Sequence, residues 1–232
     1  MEKIKVLVVE DEEAIRQGLL EEFTAEGFEI QGLPNGDLFI KSLSEFGPDV
    51  VILDEMMPGK RGRELVTQMR ENNQFNKIAV MMLTGVVGEN EKISALESGA
   101  DDYVTKPFSV REVLARTRAL SRRSVVQKSA ALPSQASLSF GPIKVDVKSY
   151  RAWNNDQEVS LTLTEFKILA ELLNQSGLVL TRDNLREKAL SNLNVTDRTI
   201  DVHMASLRKK LGSSGDLIET VRGVGYRLVT AQ

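Results

Sequence analysis

IKVLVVED, residues 4–11, is a β-rich apolar run that ends abruptly in two carboxylates. It shows little polar alternation, and a strand that is apolar on both faces must be covered on both, as in a parallel sheet flanked by helices. VVIL (50–53) and IAVMML (78–83) repeat the texture, and Phe28–Gln31 and Tyr103–Val104 are shorter β-rich runs. Amphipathic helical patterns separate these segments. The alternation predicts an α/β doubly wound, five-stranded parallel sheet of flavodoxin-like order 2-1-3-4-5, which binds ligands beyond the carboxyl ends of its strands.

At that edge the chain places acids. Glu10 and Asp11 follow the first strand and Asp54 follows the third, so adjacency of these strands gathers three carboxylates. Such a cluster is self-repulsive, and a hard divalent cation, Mg²⁺ above all, relieves it through oxygen ligands. Thr84 closes the fourth strand, and Lys106 and Pro107 come just after the fifth. An aspartate that accepts a phosphoryl group needs a metal on the phosphoryl oxygens and a cation on the developing charge. Asp54, the Mg²⁺ site and Lys106 supply these parts, with Thr84 placed to hydrogen-bond the attached phosphate. Each residue alone has an ordinary reading, as a solvated acid, a surface lysine or a helix-entry proline; their convergence favours chemistry.

Composition narrows the alternatives. The 232 residues are 41% hydrophobic and 27% charged, enough for two modest domains with buried cores. With no cysteine and one histidine, His203, the chain lacks the means for disulfides, thiolate zinc sites or His-paired nucleophiles. No apolar stretch approaches the length of a membrane span and the amino terminus lacks a cleavage signal, so a cytoplasmic protein with no membrane partner is expected. The net charge of −3 divides into −7 for residues 1–122 and +4 for residues 123–232. A basic second half can attract a polyanion that the acidic half repels.

Between the halves, SRRSVVQKSAALPSQAS (121–137) has no sustained period and reads as a linker. The expected organisation is a domain over 1–122, a linker over 123–137 and a second domain over 138–232. That second domain opens with short strands and continues with three helical segments. It closes on a glycine-containing pair, IETVRGVGYRLV (218–229), and together these predict a smaller α+β winged helix. Thr162 and Glu165 form a capping box ahead of an apolar stripe at Phe166, Leu169, Ala170 and Leu173. In RTIDVHMASLRKKL (198–211), Ile200, Met204, Leu207 and Leu211 share one face, with Arg198, Val202, Ala205, Ser206 and Lys209 roughly opposite. Small and basic residues on such a face suit a major groove, while Thr220 and Arg222 before Gly223 and Gly225 suit phosphates or a narrow minor groove.

VLVVEDE, ILDEMMPGKRG, VMMLTG and GADDYVTKPFSVREVLAR, in that order, resemble the receiver domain of bacterial response regulators throughout residues 3–122. The resemblance implies Glu10 and Asp11 at the metal, Asp54 as phosphoacceptor and the Met56 carbonyl as a further ligand. It also implies Thr84 and Tyr103 as a switch pair, a cis Lys106–Pro107 bond and a sensor histidine kinase as phosphodonor. Glu55 beside the phosphoacceptor, and Gly85 and Val86 after Thr84, depart from the common pattern.

LTLTEFKILAELL, RTIDVHMASLRKKL and ETVRGVGYRL resemble the winged-helix effector of the OmpR/PhoB family over about residues 138–229. This second resemblance implies phosphate contacts from Arg198, Thr199, His203, Arg208 and Thr220 on double-stranded DNA. Val202 and Ser206 would then face base edges, with Arg222 at the minor groove and RNA polymerase as a further partner. For the phosphorylated receiver it implies a homodimer through the helix before the fifth strand, that strand and the helix after it. Lys92 would pair with Glu112, Asp102 with Arg116 and Glu97 with Arg118, around an apolar centre of Ile93, Leu96 and Leu114.

The expected function is that of a response regulator accepting a phosphoryl group on Asp54, dimerising and binding promoter DNA. A phosphohydrolase reading is disfavoured because Met56 stands where such enzymes place a second aspartate.

Overall fold

In the computed structural model of the protein, residues 3–85, 98–125, 137–190 and 197–230 are described. The chain forms two compact units, Met1–Ser124 and Val125–Gln232.

The first unit is built on β1 (Lys5–Val9), β2 (Glu29–Leu33), β3 (Val50–Asp54), β4 (Ala79–Thr84) and β5 (Asp102–Thr105). They pair in the parallel order β2-β1-β3-β4-β5, as expected. The three continuously apolar runs became the central strands, and every residue of β3 and β4 is buried. Helices α1 (Glu13–Ala25), α2 (Phe39–Phe46), α3 (Gly62–Arg70) and α4 (Val110–Val125) follow β1, β2, β3 and β5. The helix expected before β5 falls outside the described residues. The fifth helix of the sequence reading, here α4, continues to Val125, into the stretch read as linker. Its residues there carry no helix breaker, and the Ser121 hydroxyl donates to the Arg118 carbonyl within the helix.

The second unit starts with an antiparallel sheet of β6 (Ser137–Phe140), β7 (Ile143–Asp146), β8 (Arg151–Asn154) and β9 (Gln157–Val159). On this sheet the half-buried Trp153 lies beneath the Arg151 guanidinium and the Lys144 ammonium, 5.2 and 5.9 Å from its ring centre. Among the described residues the helices that follow are α5 (Leu163–Asn174), the short α6 (Arg182–Leu185), continued by a π-helical turn over Arg186–Leu190, and α7 (Asp197–Leu211). The capping box forms as expected: the Thr162 N–H donates to Glu165 Oε2 at 2.8 Å and the Glu165 N–H to the Thr162 hydroxyl at 3.4 Å. Strand β10 (Leu180–Thr181) joins the terminal hairpin of β11 (Ile218–Val221) and β12 (Gly225–Leu228). Glycine is required at the start of β12, since a Cβ on Gly225 would lie 1.9 Å from the Leu180 carbonyl oxygen. All four residues of each predicted apolar stripe, on α5 and on α7, are buried.

Candidate phosphoacceptor site and DNA-binding face

Parallel pairing of β1 with β3 aligns Val9 with Leu53, so Glu10, Asp11 and Asp54 emerge at one edge of the sheet. One oxygen from each lies within 4.8 Å of the others. The acidic loop is pinned by a residue that the sequence reading did not single out. Arg16 Nη1 donates to the Glu10 carbonyl at 2.7 Å and to the Asp11 carbonyl at 3.2 Å.

Lys106 reaches into the cluster from the end of β5. Its ammonium donates to Asp54 Oδ2 at 2.9 Å and Glu10 Oε1 at 3.0 Å, and its backbone N–H to the Thr84 carbonyl at 2.7 Å. Burial opposes its charge, but the hydrogen bonds to Asp54 and Glu10 outweigh burial and push its pKa up to about 12. Glu10 is fully buried; burial, aided by the Asp54 charge and opposed by the Lys106 hydrogen bond, raises its pKa to about 7. Glu10 Oε2 is likewise 2.9 Å from the ammonium, so one lysine faces both oxygens of Glu10 as well as Asp54. Three carboxylates sharing a single cation are a donor set suited to a hard divalent ion. The Lys106–Pro107 bond is cis, Thr84 is buried and Tyr103 packs half-buried against the core.

The extra acid has a partner. Glu55, 4% exposed, accepts the Arg63 guanidinium on Oε1, from both Nε and Nη2, and the Arg63 backbone N–H on Oε2 at 3.1 Å, in the first turn of α3. Sequence alone marked Glu55 as an added negative charge; its partner lies across a loop and carries no local signal.

The charges expected to cross a dimer axis are engaged within the chain. Arg116 donates to Asp102 Oδ2 at 3.2 Å and to Glu112 Oε1 at 2.8 Å, Arg118 pairs with Glu26, and Leu114 is only 7% exposed. Within a single chain, Asp102 and Arg116 therefore already form an internal pair, and Leu114 is buried. The reason is proximity, since Arg116 on α4 reaches Asp102 at the start of β5. Lys92, Ile93, Leu96 and Glu97 lie outside the described residues, as does Val86.

On the second unit, Arg198, Ala205 and Lys209 are exposed, Val202 is half-buried, and the hairpin presents Thr220, Arg222 and Val224. Thr199 and His203, expected at phosphates, are 1% and 2% exposed in the chain by itself. Helix α7 packs against α5, α6 and the 3₁₀ turn at Gly212–Leu217, so its buried arc is wider than one apolar stripe. Ser206 donates to Glu165 at 2.6 Å, which ties it to α5 in the chain by itself. Arg208 is likewise occupied, donating to the Ile218 carbonyl at 2.6 Å and the Thr220 hydroxyl at 2.8 Å while stacked 5.4 Å from the Tyr226 ring centre. It braces the hairpin against α7.

Residues 6–118 match the family model described as response regulator receiver domain, and residues 156–228 match transcriptional regulatory protein, C terminal. The phosphate regulon transcriptional regulatory protein PhoB of Rhizobium meliloti is 40% identical over 227 residues, covering 97% of this chain and 98% of that protein. The chain belongs to the OmpR/PhoB family of response regulators. Sensory transduction protein RegX3 of Mycolicibacterium smegmatis is 37% identical, covering 96% of this chain and 98% of the relative. The Thermotoga maritima OmpR/PhoB homologue DrrB superposes with a TM-score of 0.52 at 27% identity, covering 99% of this chain and all of its own. As a response regulator the protein controls transcription in a phosphorylation-dependent way, and this family is not an enzyme class. A histidine kinase and DNA are the partners its two domains imply. Among the described residues no helix is long and apolar enough to cross a membrane.

Proposed function

We propose that Asp54 is the phosphoacceptor and that Glu10, Asp11, Asp54 and the Met56 carbonyl hold Mg²⁺ beside it. The observation that carries this reading is the Lys106 ammonium, 2.9 Å from Asp54 Oδ2 inside a buried acidic cluster at the sheet edge. When bound, the metal neutralises phosphoryl oxygens as charge shifts onto them. The Asp54 carboxylate attacks the phosphorus of a sensor kinase phosphohistidine, the N–P bond breaks and an acyl phosphate forms. Lys106 then turns from the free carboxylate to the phosphoryl oxygens, and Thr84 donates its hydroxyl to them. Movement of Thr84 draws Tyr103 inward, which biases the adjacent face between two arrangements.

The phosphorylated receiver dimerises through the face carrying β5 and α4, in which Glu112, Arg116 and Arg118 exchange internal partners for those of a second chain. Two tethered effector units then engage two half-sites together and recruit RNA polymerase in the cytoplasm. The domain limits 1–122, 123–137 and 138–232 remain the proposed organisation, with the end of α4 leading into the linker. Treatment with a small-molecule phosphodonor and Mg²⁺, followed by mass, oligomeric state and DNA affinity, tests the whole scheme. One added phosphoryl group should accompany dimerisation and tighter DNA binding. Full phosphorylation with both other properties unchanged would overturn it.

Because Arg116 serves both the chain's own fold and the proposed interface, Arg116→Glu should abolish phosphorylation-induced dimerisation in analytical ultracentrifugation. Asp102→Arg added to it should restore dimers in part by rebuilding the pair with reversed sign. A phosphorylated Arg116→Glu protein that stays dimeric places the interface elsewhere.

For DNA, Arg198 and Arg222 are the proposed backbone and minor-groove contacts and Val202 the base contact. Affinity should fall steeply with salt, and Arg198→Ala should weaken all sequences alike while reducing the log–log salt slope by about 1. Changes at Val202 should instead alter sequence preference, by about 1–3 kcal/mol for a good base contact. Altered preference from Arg198→Ala, with none from Val202 variants, would reverse the proposed orientation of α7.

A further inference from the structure

The loop from Met56 to Arg61 joins the phosphoacceptor strand to α3, and Glu55 is tied on both sides of it. Its N–H donates to the Leu83 carbonyl on β4 at 2.8 Å, and its own carbonyl accepts the Gly62 N–H at 3.1 Å. Its carboxylate takes both the backbone N–H and the guanidinium of Arg63. The start of α3 is thereby pressed against the phosphoacceptor backbone. A Cβ on Gly62 would stand 2.3 Å from the Asp54 carbonyl oxygen and 2.8 Å from Met82 Cε. Inside the closed loop, the Met56 N–H donates to Asp54 Oδ1 at 3.2 Å, while the Met56 side chain is 54% exposed and contributes little packing. Packing of its own side chain therefore does little to fix the Met56 backbone, which leaves its hydrogen bond to Asp54 and the closure of the loop at Glu55.

We propose that Glu55 and Arg63 form a clamp that positions the Met56 backbone for the cation held by Glu10, Asp11 and Asp54. This rests on the reading of that cluster as a Mg²⁺ site. Arg63 is a positioning residue and touches no reacting atom. Two guanidinium donors, Nε and Nη2, converge on Glu55 Oε1 and so fix the pair in angle as well as distance, which a single ammonium does not. The alternative is that the pair acts only through charge, with Arg63 cancelling Glu55.

The two accounts predict opposite signs. If charge alone mattered, Arg63→Ala would leave the site one charge more negative and Mg²⁺ would bind tighter, while Arg63→Lys would change nothing. If the clamp positions the loop, Arg63→Ala should weaken Mg²⁺ binding by about tenfold, the low end for residues that orient a metal ligand, and Arg63→Lys should weaken it to a lesser degree. Calorimetric titration of the full-length protein with Mg²⁺ alone, without phosphodonor, reads this directly. Unchanged affinity in Arg63→Lys, or tighter binding in Arg63→Ala, overturns the clamp. Should Arg63→Ala not fold, Arg63→Lys keeps the charge and decides alone. Wild-type protein that takes up no Mg²⁺ would instead overturn the underlying metal-site reading.

Discussion

Asp54→Asn should abolish Mg²⁺-dependent phosphorylation completely, with intact mass showing one added phosphoryl group on the wild type and none on the variant. The amide is not a nucleophile and offers a poorer metal ligand, so both requirements fail together. The fold should survive, because Lys106 keeps the buried Glu10 carboxylate at 2.9–3.0 Å as a partner. Phosphodonor-dependent gains in dimerisation and DNA affinity should vanish with the label. Equal labelling of both proteins would move the phosphoacceptor elsewhere.

A comparable effect on stability is expected in the second unit from Glu165→Leu. Glu165 is 2% exposed, and its two oxygens accept the Thr162 N–H at 2.8 Å, the Ser206 hydroxyl at 2.6 Å and the Lys210 ammonium at 2.7 Å. It therefore caps α5 and holds α7 against it. Hydrogen bonds to a charged group contribute about 1.5–3 kcal/mol each, and removing one partner of a buried pair costs about 3–5 kcal/mol. Lys210, whose side chain is 34% exposed, can turn to water, which places the expected loss near the lower bound of about 3 kcal/mol. For a unit of this size that is a drop of more than about 10 °C in melting temperature by calorimetry. Glu165→Gln keeps an acceptor for the Thr162 N–H and should lose less. A melting temperature within a degree or two of wild type for Glu165→Leu would contradict the bridging role.

Sequence revealed most where one physical rule acted alone. Parallel strands covered on both faces must be apolar throughout, so Lys5–Val9, Val50–Asp54 and Ala79–Thr84 announced themselves, and their order fixed where Glu10, Asp11 and Asp54 would meet. The capping box was legible because its partners are three residues apart. Contacts set by tertiary packing were not. A helical wheel shows one apolar stripe on α7 but not that α5, α6 and a 3₁₀ turn surround it, so Thr199 and His203 read as exposed. Nothing nearby in sequence predicts the Ile218 carbonyl that takes the Arg208 guanidinium. Arg63 escaped notice for the same reason, its target Glu55 lying on the far side of a loop.

The placement of Trp153 has an optical consequence. It is the only tryptophan in the chain and sits on the sheet that opens the second unit, between β7 and β9 and close to two cationic side chains. Light absorbed at the red edge of the protein spectrum, where tyrosine is transparent, is therefore emitted from the DNA-binding half alone. The chain carries an intrinsic reporter that is blind to events confined to the phosphoacceptor half. Any change in that emission on phosphorylation at Asp54 would have to be relayed from one unit to the other.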